Sequence, residues 1–249
     1  MRLFTRIVIL ILAFLVISCD RDRSLNPPEN SEKIIFEVKV PSEIDVLPLR
    51  ILYRSNICKK KESNSNGDAY EIPGYNIVKE SLSSKGSEGL QKLQIPYDGG
   101  GACDWKLSNV TVNFKFNKPQ ELGDNITENS PARAIFTLDE NIPQITNGTF
   151  SVIEGDQEIT GDYYPVIVSY HSPEKKNVLS MRKENYYIYY RVKKTGRIKF
   201  SPVIHTDKVV KASQPEGVGL RNNYKVIYPD GTVESSQDFP DFKRLRAMQ

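Results

Sequence analysis

The clearest periodic stretch of the chain is Val110-Thr111-Val112-Asn113-Phe114-Lys115-Phe116, which sets Val110, Val112, Phe114 and Phe116 on one face and polar side chains on the other. Alternation with period two is the mark of a half-buried strand, because successive side chains of an extended chain point to opposite sides. The same rhythm recurs at residues 36–40, 47–53, 134–138, 149–153, 164–170, 186–192 and 197–200. From Tyr224 to Glu234 two strand-like runs flank Pro229-Asp230-Gly231, a turn chemistry that predicts a hairpin. Long helical stripes are scarce, so the predicted class is all-β and the architecture a β-sandwich. Residues 59–74 and 214–223 are polar or glycine-bearing and read as exposed loops. A shift in composition at residues 117–130 leaves two arrangements open: one continuous sandwich, or two Ig-like units at residues 32–118 and 130–249.

Ahead of these strands the pattern changes. Arg2 and Arg6 precede the apolar run Ile7-Val8-Ile9-Leu10-Ile11-Leu12-Ala13-Phe14-Leu15-Val16-Ile17, too short to span a bilayer comfortably and built like an export signal. It ends in Val16-Ile17-Ser18-Cys19, which resembles the lipobox of bacterial lipoproteins. That resemblance implies a removed signal at residues 1–18, diacylglycerol on the Cys19 sulfur and a new acylated amine. Each buried acyl CH₂ is worth roughly 0.8 kcal/mol, so two or three chains anchor a protein essentially permanently. Asp20 resembles an inner-membrane retention signal, which favours an inner-membrane anchor facing the periplasm and leaves the outer membrane open. Residues 19–31 are polar and proline-bearing, and read as a lipidated flexible tether.

Removing 18 of 249 residues leaves 231, ample for a large β domain or two small ones. The formal charge of +3 falls to about +1 when Arg2 and Arg6 leave, which argues against a nucleic-acid partner. With Cys19 lipidated, Cys58 and Cys103 remain as an even pair in an oxidising compartment, and a disulfide between them is the natural inference. Closing a loop of about 46 residues, it would contribute roughly 4 kcal/mol. Two free thiols or two metal ligands are the alternatives.

Catalytic signatures are weak. Ser172-Pro173-Glu174-Lys175 and Lys194-Thr195-Gly196 match two elements of penicillin-recognising enzymes, but the third is missing and Pro173 suggests a turn. The only histidines, His171 and His205, sit at the edges of strand-like runs, so a dispersed Ser-His-Asp triad stays open without being indicated. Glu62-Ser63-Asn64-Ser65-Asn66-Gly67 faintly follows a calcium loop, with Pro73 where the closing acid belongs. Gly99-Gly100-Gly101 lacks the Lys-Ser/Thr of a phosphate loop and reads as a turn before Cys103. Tyr163-Tyr164 and Tyr186-Tyr187-Ile188-Tyr189-Tyr190 are either packed or an apolar interaction patch. No enzyme, cofactor or resident metal is indicated.

Pro96-Tyr97-Asp98-Gly99-Gly100-Gly101-Ala102-Cys103-Asp104-Trp105-Lys106-Leu107-Ser108-Asn109-Val110, with Arg54-Ser55-Asn56-Ile57-Cys58 and the lipobox, resembles enterobacterial immunity lipoproteins that accompany phospholipase effectors of the type VI secretion system. The matching motifs span residues 50–116. The resemblance implies a periplasm-facing inhibitor whose partner is a phospholipase effector, and it brings no catalytic residues. Such an inhibitor needs protruding loops on a rigid scaffold. The expected contact residues are Asn64, Asn66, Asp68 and Tyr70 in the first polar loop, with Asp98 and Gly100 at the glycine turn. An envelope-assembly accessory lipoprotein is the competing reading, and a periplasmic hydrolase the next.

Overall fold

The alternating run around Phe114 becomes the central strand of a sandwich in the computed structural model, which describes residues 22–84, 89–141, 150–171, 175–184, 188–193, 195–215, 223–236 and 240–248. The run read as an export signal, Cys19 and Asp20, Ser172 to Glu174 and Tyr186-Tyr187 lie outside the described residues. One sheet has the order β11 (Ser151–Glu154), β14 (Ile188–Lys193), β10 (Ala132–Thr137), β8 (Trp105–Phe116), β3 (Leu49–Ser63) and β4 (Ala69–Glu80). β2 (Ile44–Val46) and β7 (Asp98–Gly100) also pair with β8. The facing sheet runs from β5 (Ser83–Ser84) through β6 (Leu90–Pro96), β1 (Lys33–Lys39), β15 (Arg197–Ile204) and β12 (Gln157–Tyr170). Among the described residues, no helix is long and apolar enough to cross a membrane.

The two sheets are joined by aromatic side chains that meet edge to face or tilted, as ring quadrupoles favour. Phe36 lies 5.0 Å from Phe136, Phe114 lies 4.9 Å from Tyr163, and Phe200 sits within 6.0 Å of both Phe114 and Phe136. Tyr190 stacks on Phe136, and Tyr189 is buried beside it, so the described part of the tyrosine run is packed rather than displayed. β8, flanked by β10 and β3, carries buried residues on both faces, Val110 and Val112 in the main core and Asn109 and Thr111 on the other side.

β12 changes partners along its length. Its first half pairs with β15 as far as Tyr163↔Ile204, and from Val166 it pairs with β16 (Val210–Ser213). Pro165, which has no N–H to give a ladder, occupies the switch. The later half continues into a smaller sheet with β13 (Lys176–Arg182), β9 (Ile126–Ser130), β17 (Tyr224–Ile227) and β18 (Val233–Ser236). β17 and β18 form the hairpin that Pro229-Asp230-Gly231 predicts. Tyr163 and Ile167 on one face of β12 belong to the main core, and Tyr164, Val166 and Val168 on the other belong to a second, smaller core. A short helix α1 (Phe242–Ala247) closes that second core with Phe242 and Leu245. Asp241 caps it by accepting from the amides of Lys243 and Arg244.

Two expectations are therefore corrected. Strands from before and after residues 117–130 share both sheets, meeting where β1 pairs with β15 and where β8 pairs with β10, so the chain does not divide there into two separate Ig-like units. The two cores are layers sharing the wall of β12, a division that no linker in the sequence marks. Residues 22–31, read as a flexible tether, are fastened to the sandwich. The Asn26 amide donates to Gly99 O at 2.9 Å, Arg23 O accepts from Trp105 Nε1 at 3.1 Å, and Leu25 packs against the main core.

Candidate functional site

The segment read as a loop over residues 59–74 is a β arm. β3 pairs with β8 only as far as Arg54↔Lys106, after which Lys60 to Ser63 pair with Ala69 to Ile72 of β4 alone. Nothing described covers either face, so both faces are polar and the period-two signal is missing from the sequence. A two-stranded ribbon alone is marginal in water, and the stability of this one comes from its root.

The root is built from the residues that carry the sequence resemblance. Cys58 and Cys103 form a disulfide with Cα atoms 5.3 Å apart, as the cysteine count implied. The register of β3 shifts between Ser55 and Lys60, and the buried Ser55 hydroxyl organises the bulge by accepting from the amides of Ile57 and Cys58 and donating to Cys103 O. Gly74 lies beneath it, where a Cβ would stand 1.7 Å from Cys58 O.

Over this root runs the strap formed by residues 22–31. Gly100 and Gly101, at φ +55° and +71°, form its floor, and a Cβ on them would meet Asn26 O at 2.2 Å and Ser24 O at 2.5 Å. Asp22 O lies 3.5 Å from the Cys103 sulfur, and Asn76 Nδ2 donates to Arg23 O at 2.9 Å. The glycine run is thus a cradle for the chain's own strap.

The six expected contact residues separate accordingly. Asn64 and Asp68 shape the arm's turn: Asn64 Oδ1 accepts from the amides of Asn66 and Asp68, and its Nδ2 donates to Asp68 Oδ2. Asn66 and Tyr70 are exposed at and beside that turn. Asp98 works inward. Burial pushes its carboxyl up, but the Gly100 amide and the Lys106 ammonium outweigh that and hold it below the usual carboxylate range. Gly100 lies under the strap and is not free to meet a partner.

The sequence did not single out Ile57 and Tyr75. With Tyr70 they are 52%, 43% and 49% exposed, which places three of the six exposed large apolar side chains among the described residues on this one arm. Lys60 sits 4.8 Å over the Tyr75 ring and pairs with Glu62, while Lys59 pairs with Glu71. From Asn56 to Tyr75 the arm carries three lysines and three acids, so its charge is balanced and the three apolar side chains stand out from a polar surface.

The other signals resolve as structure. Thr195 and Gly196 wrap Asp156, whose Oδ1 accepts from the Thr195 hydroxyl at 2.8 Å and the Gly196 amide at 3.0 Å. His205 Nε2 meets Asp162 Oδ1 at 2.8 Å and the ring stacks on Tyr164 at 4.7 Å, yet among the described residues no serine hydroxyl bonds to it. Among the described residues no three His, Cys, Asp or Glu side chains gather in a way that would hold a metal ion. Comparison with known protein families, with curated proteins and with solved structures finds no match.

Proposed function

We propose that the chain is a membrane-anchored, periplasm-facing lipoprotein that binds and neutralises a secreted lipase or phospholipase toxin, with the β arm as its contact surface. The observation that carries this reading is the arm itself: a disulfide-rooted ribbon that projects Ile57, Tyr70 and Tyr75 into solvent. Exposed aromatic anchors on a pre-organised element are what a protein interface needs, since little ordering entropy is lost on binding. The neutral charge of the arm suits an apolar recess on a protein better than an anionic bilayer.

The strap adds a geometric reason. A lipid on Cys19 is three residues from Asp22, a reach of at most about 11 Å, and Asp22 lies against the Cys103 sulfur. The arm's root is then held next to the bilayer, where a lipase would act. Asp20 favours the inner membrane, with the outer membrane as the second location.

The test is co-purification of the exported chain with the product of the neighbouring open reading frame, alongside a phospholipase assay on that product. A complex that loses lipase activity, weakened by Tyr70→Ala and Ile57→Asp, supports the reading. No complex, or one that leaves activity intact, rejects it. A second reading, an envelope-assembly accessory, is favoured by the outer edge of β4, which has no strand beside it among the described residues and could accept one from a partner.

A further inference from the structure

We propose that the strap of residues 22–31 gates the Cys58–Cys103 disulfide: closed, it keeps thiols from the bond, and opened, it lets them cut the bond and free the arm. The cystine is enclosed from two sides. On one, the Ser55 bulge and Gly74 crowd the Cys58 backbone. On the other, the strap brings Asp22 O to 3.5 Å from the Cys103 sulfur. Cys103 is fully buried and Cys58 nearly so, at 0% and 7% exposure, although the arm they root stands in solvent.

The two sides differ in strength. The bulge interrupts a strand that is paired on both sides, to β4 and to β8. The strap is exposed at every residue except Leu25 and Ser31, which are partly buried. Its hold on the root is Leu25 beside Tyr53, the Asn26 amide donating to Gly99 O at 2.9 Å, and Arg23 O accepting from Trp105 Nε1 at 3.1 Å and Asn76 Nδ2 at 2.9 Å. A segment with one apolar anchor and a few hydrogen bonds opens locally at a cost well below that of global unfolding. Asp22, the residue on the sulfur, is at the strap's outer end, so displacing the chain there uncovers the sulfur first. A thiolate of a dithiol then attacks one sulfur and forms a new S–S bond to it, while the other sulfur leaves as a thiolate. The second thiolate of the dithiol displaces the first cysteine. Two electrons pass to the cystine, Cys58 and Cys103 end as thiols, the dithiol ends as a disulfide, and the arm has lost its covalent root.

The experiment times that reduction and needs neither a toxin nor a bilayer. The whole chain in mild detergent is exposed to dithiothreitol at about pH 8, where thiolate is present. Samples are blocked with iodoacetamide, and alkylation of the Cys58 and Cys103 peptides is read by mass spectrometry. Leu25→Asp and Asn26→Pro remove the apolar anchor and the bond to Gly99 O. Each should speed reduction about tenfold or more while leaving the urea midpoint of the oxidised protein in place. In the unaltered chain the logarithm of the rate should rise with urea at a small fraction of the slope of global unfolding, as a local opening requires. After reduction, tryptic cleavage within residues 59–73 should become fast. Strap variants that are reduced no faster than the unaltered chain, or faster only in step with a fallen midpoint, overturn the gate. Should neither variant fold, a reduction rate carrying the full urea slope of global unfolding overturns it instead. An arm as resistant to trypsin after reduction as before overturns the release.

Discussion

The arm's root and the C-terminal layer solve the same problem, holding a small piece of structure onto the main sandwich, by opposite means. At the root a covalent bond joins Cys58 to Cys103, and a glycine cradle admits the strap, whose Leu25 packs beside Tyr53 and Trp105. The C-terminal layer has no crosslink. It has a second core around Tyr164, Val210, Val226 and Leu245, sealed by polar fastenings on α1. Lys208 Nζ donates to Leu245 O and Met248 O at the helix end, Arg244 stacks 4.2 Å over Tyr228, and Arg246 pairs with Glu184. The Tyr228 hydroxyl donates to Glu234 and accepts from the Asp241 amide. Burial, with Glu234 beside it, lifts that phenol to about 12, so it stays a donor throughout the physiological range. A ribbon exposed on both faces has no core to hold it and needs a crosslink, whereas a helix with one apolar face can be held by packing.

Breaking the crosslink should have the largest effect. Reduction of Cys58–Cys103, or the double change to alanine, is expected to cost about 4 kcal/mol on the chain-entropy model, read as a lower urea midpoint with dithiothreitol than without. Amides of residues 56–73 should lose protection most, and a midpoint indifferent to reductant would show that the disulfide does not support the root. Next comes Leu245→Ala, fully buried in the second core, at about 3 kcal/mol. Its loss should appear in exchange at α1, β17 and β18 while the arm stays protected. Equal loosening of the arm would mean that the two regions unfold as one.

These two regions also differ in how far the sequence revealed them. The sandwich was legible wherever apolar and polar residues alternate: Val110, Val112, Phe114 and Phe116 alternate with Thr111, Asn113 and Lys115 in sequence and all four are buried. The Cys58–Cys103 pairing followed from cysteine count and compartment. The arm was not legible as strand, because neither face of Lys60 to Ser63 meets a core, and strand periodicity records burial rather than extension. Nor was the strap, since the signal for it is the space above Gly100 and Gly101, which a sequence shows only as glycine. Asp241 before an apolar Phe242 was a usable helix-start signal that went unread. Of the exposed side chains on the arm, Asn66 and Tyr70 lie in the segment that loop polarity marked, while Ile57 and Tyr75 do not stand out because single apolar residues among lysines carry no pattern.

Gly100→Ala tests the strap and should cost roughly 2 kcal/mol, from a positive φ combined with a collision at Asn26 O. Limited proteolysis within residues 22–31 should then become fast while the disulfide remains formed. Resistance equal to the parent protein would show that the strap is held without the glycine floor.

The smallest effect sharpens the comparison by pH. Glu184 and Asp230 both lie below their ordinary values of 4.5 and 3.8, Glu184 chiefly through its bond to Arg246 and Asp230 chiefly through Thr232. A carboxylate held low in the folded state contributes stability that is fully present above its unfolded value and is lost as pH falls through the folded one. The fastenings of the C-terminal layer should therefore weaken below about pH 4, and the disulfide at the arm's root has no proton to gain. Hydrogen exchange at pH 6 and pH 3, corrected for the intrinsic rate, should show the Leu245 amide losing protection while the Cys58 amide, held by Ser55, keeps it. Arg246→Met should remove most of the Glu184 part of that response, since only the weaker attraction of Lys243 then favours the ionised form. Parallel loss at Cys58 and Leu245 would show that acid loosens the root as well, where the Asp22 and Asp98 carboxyls are also held low.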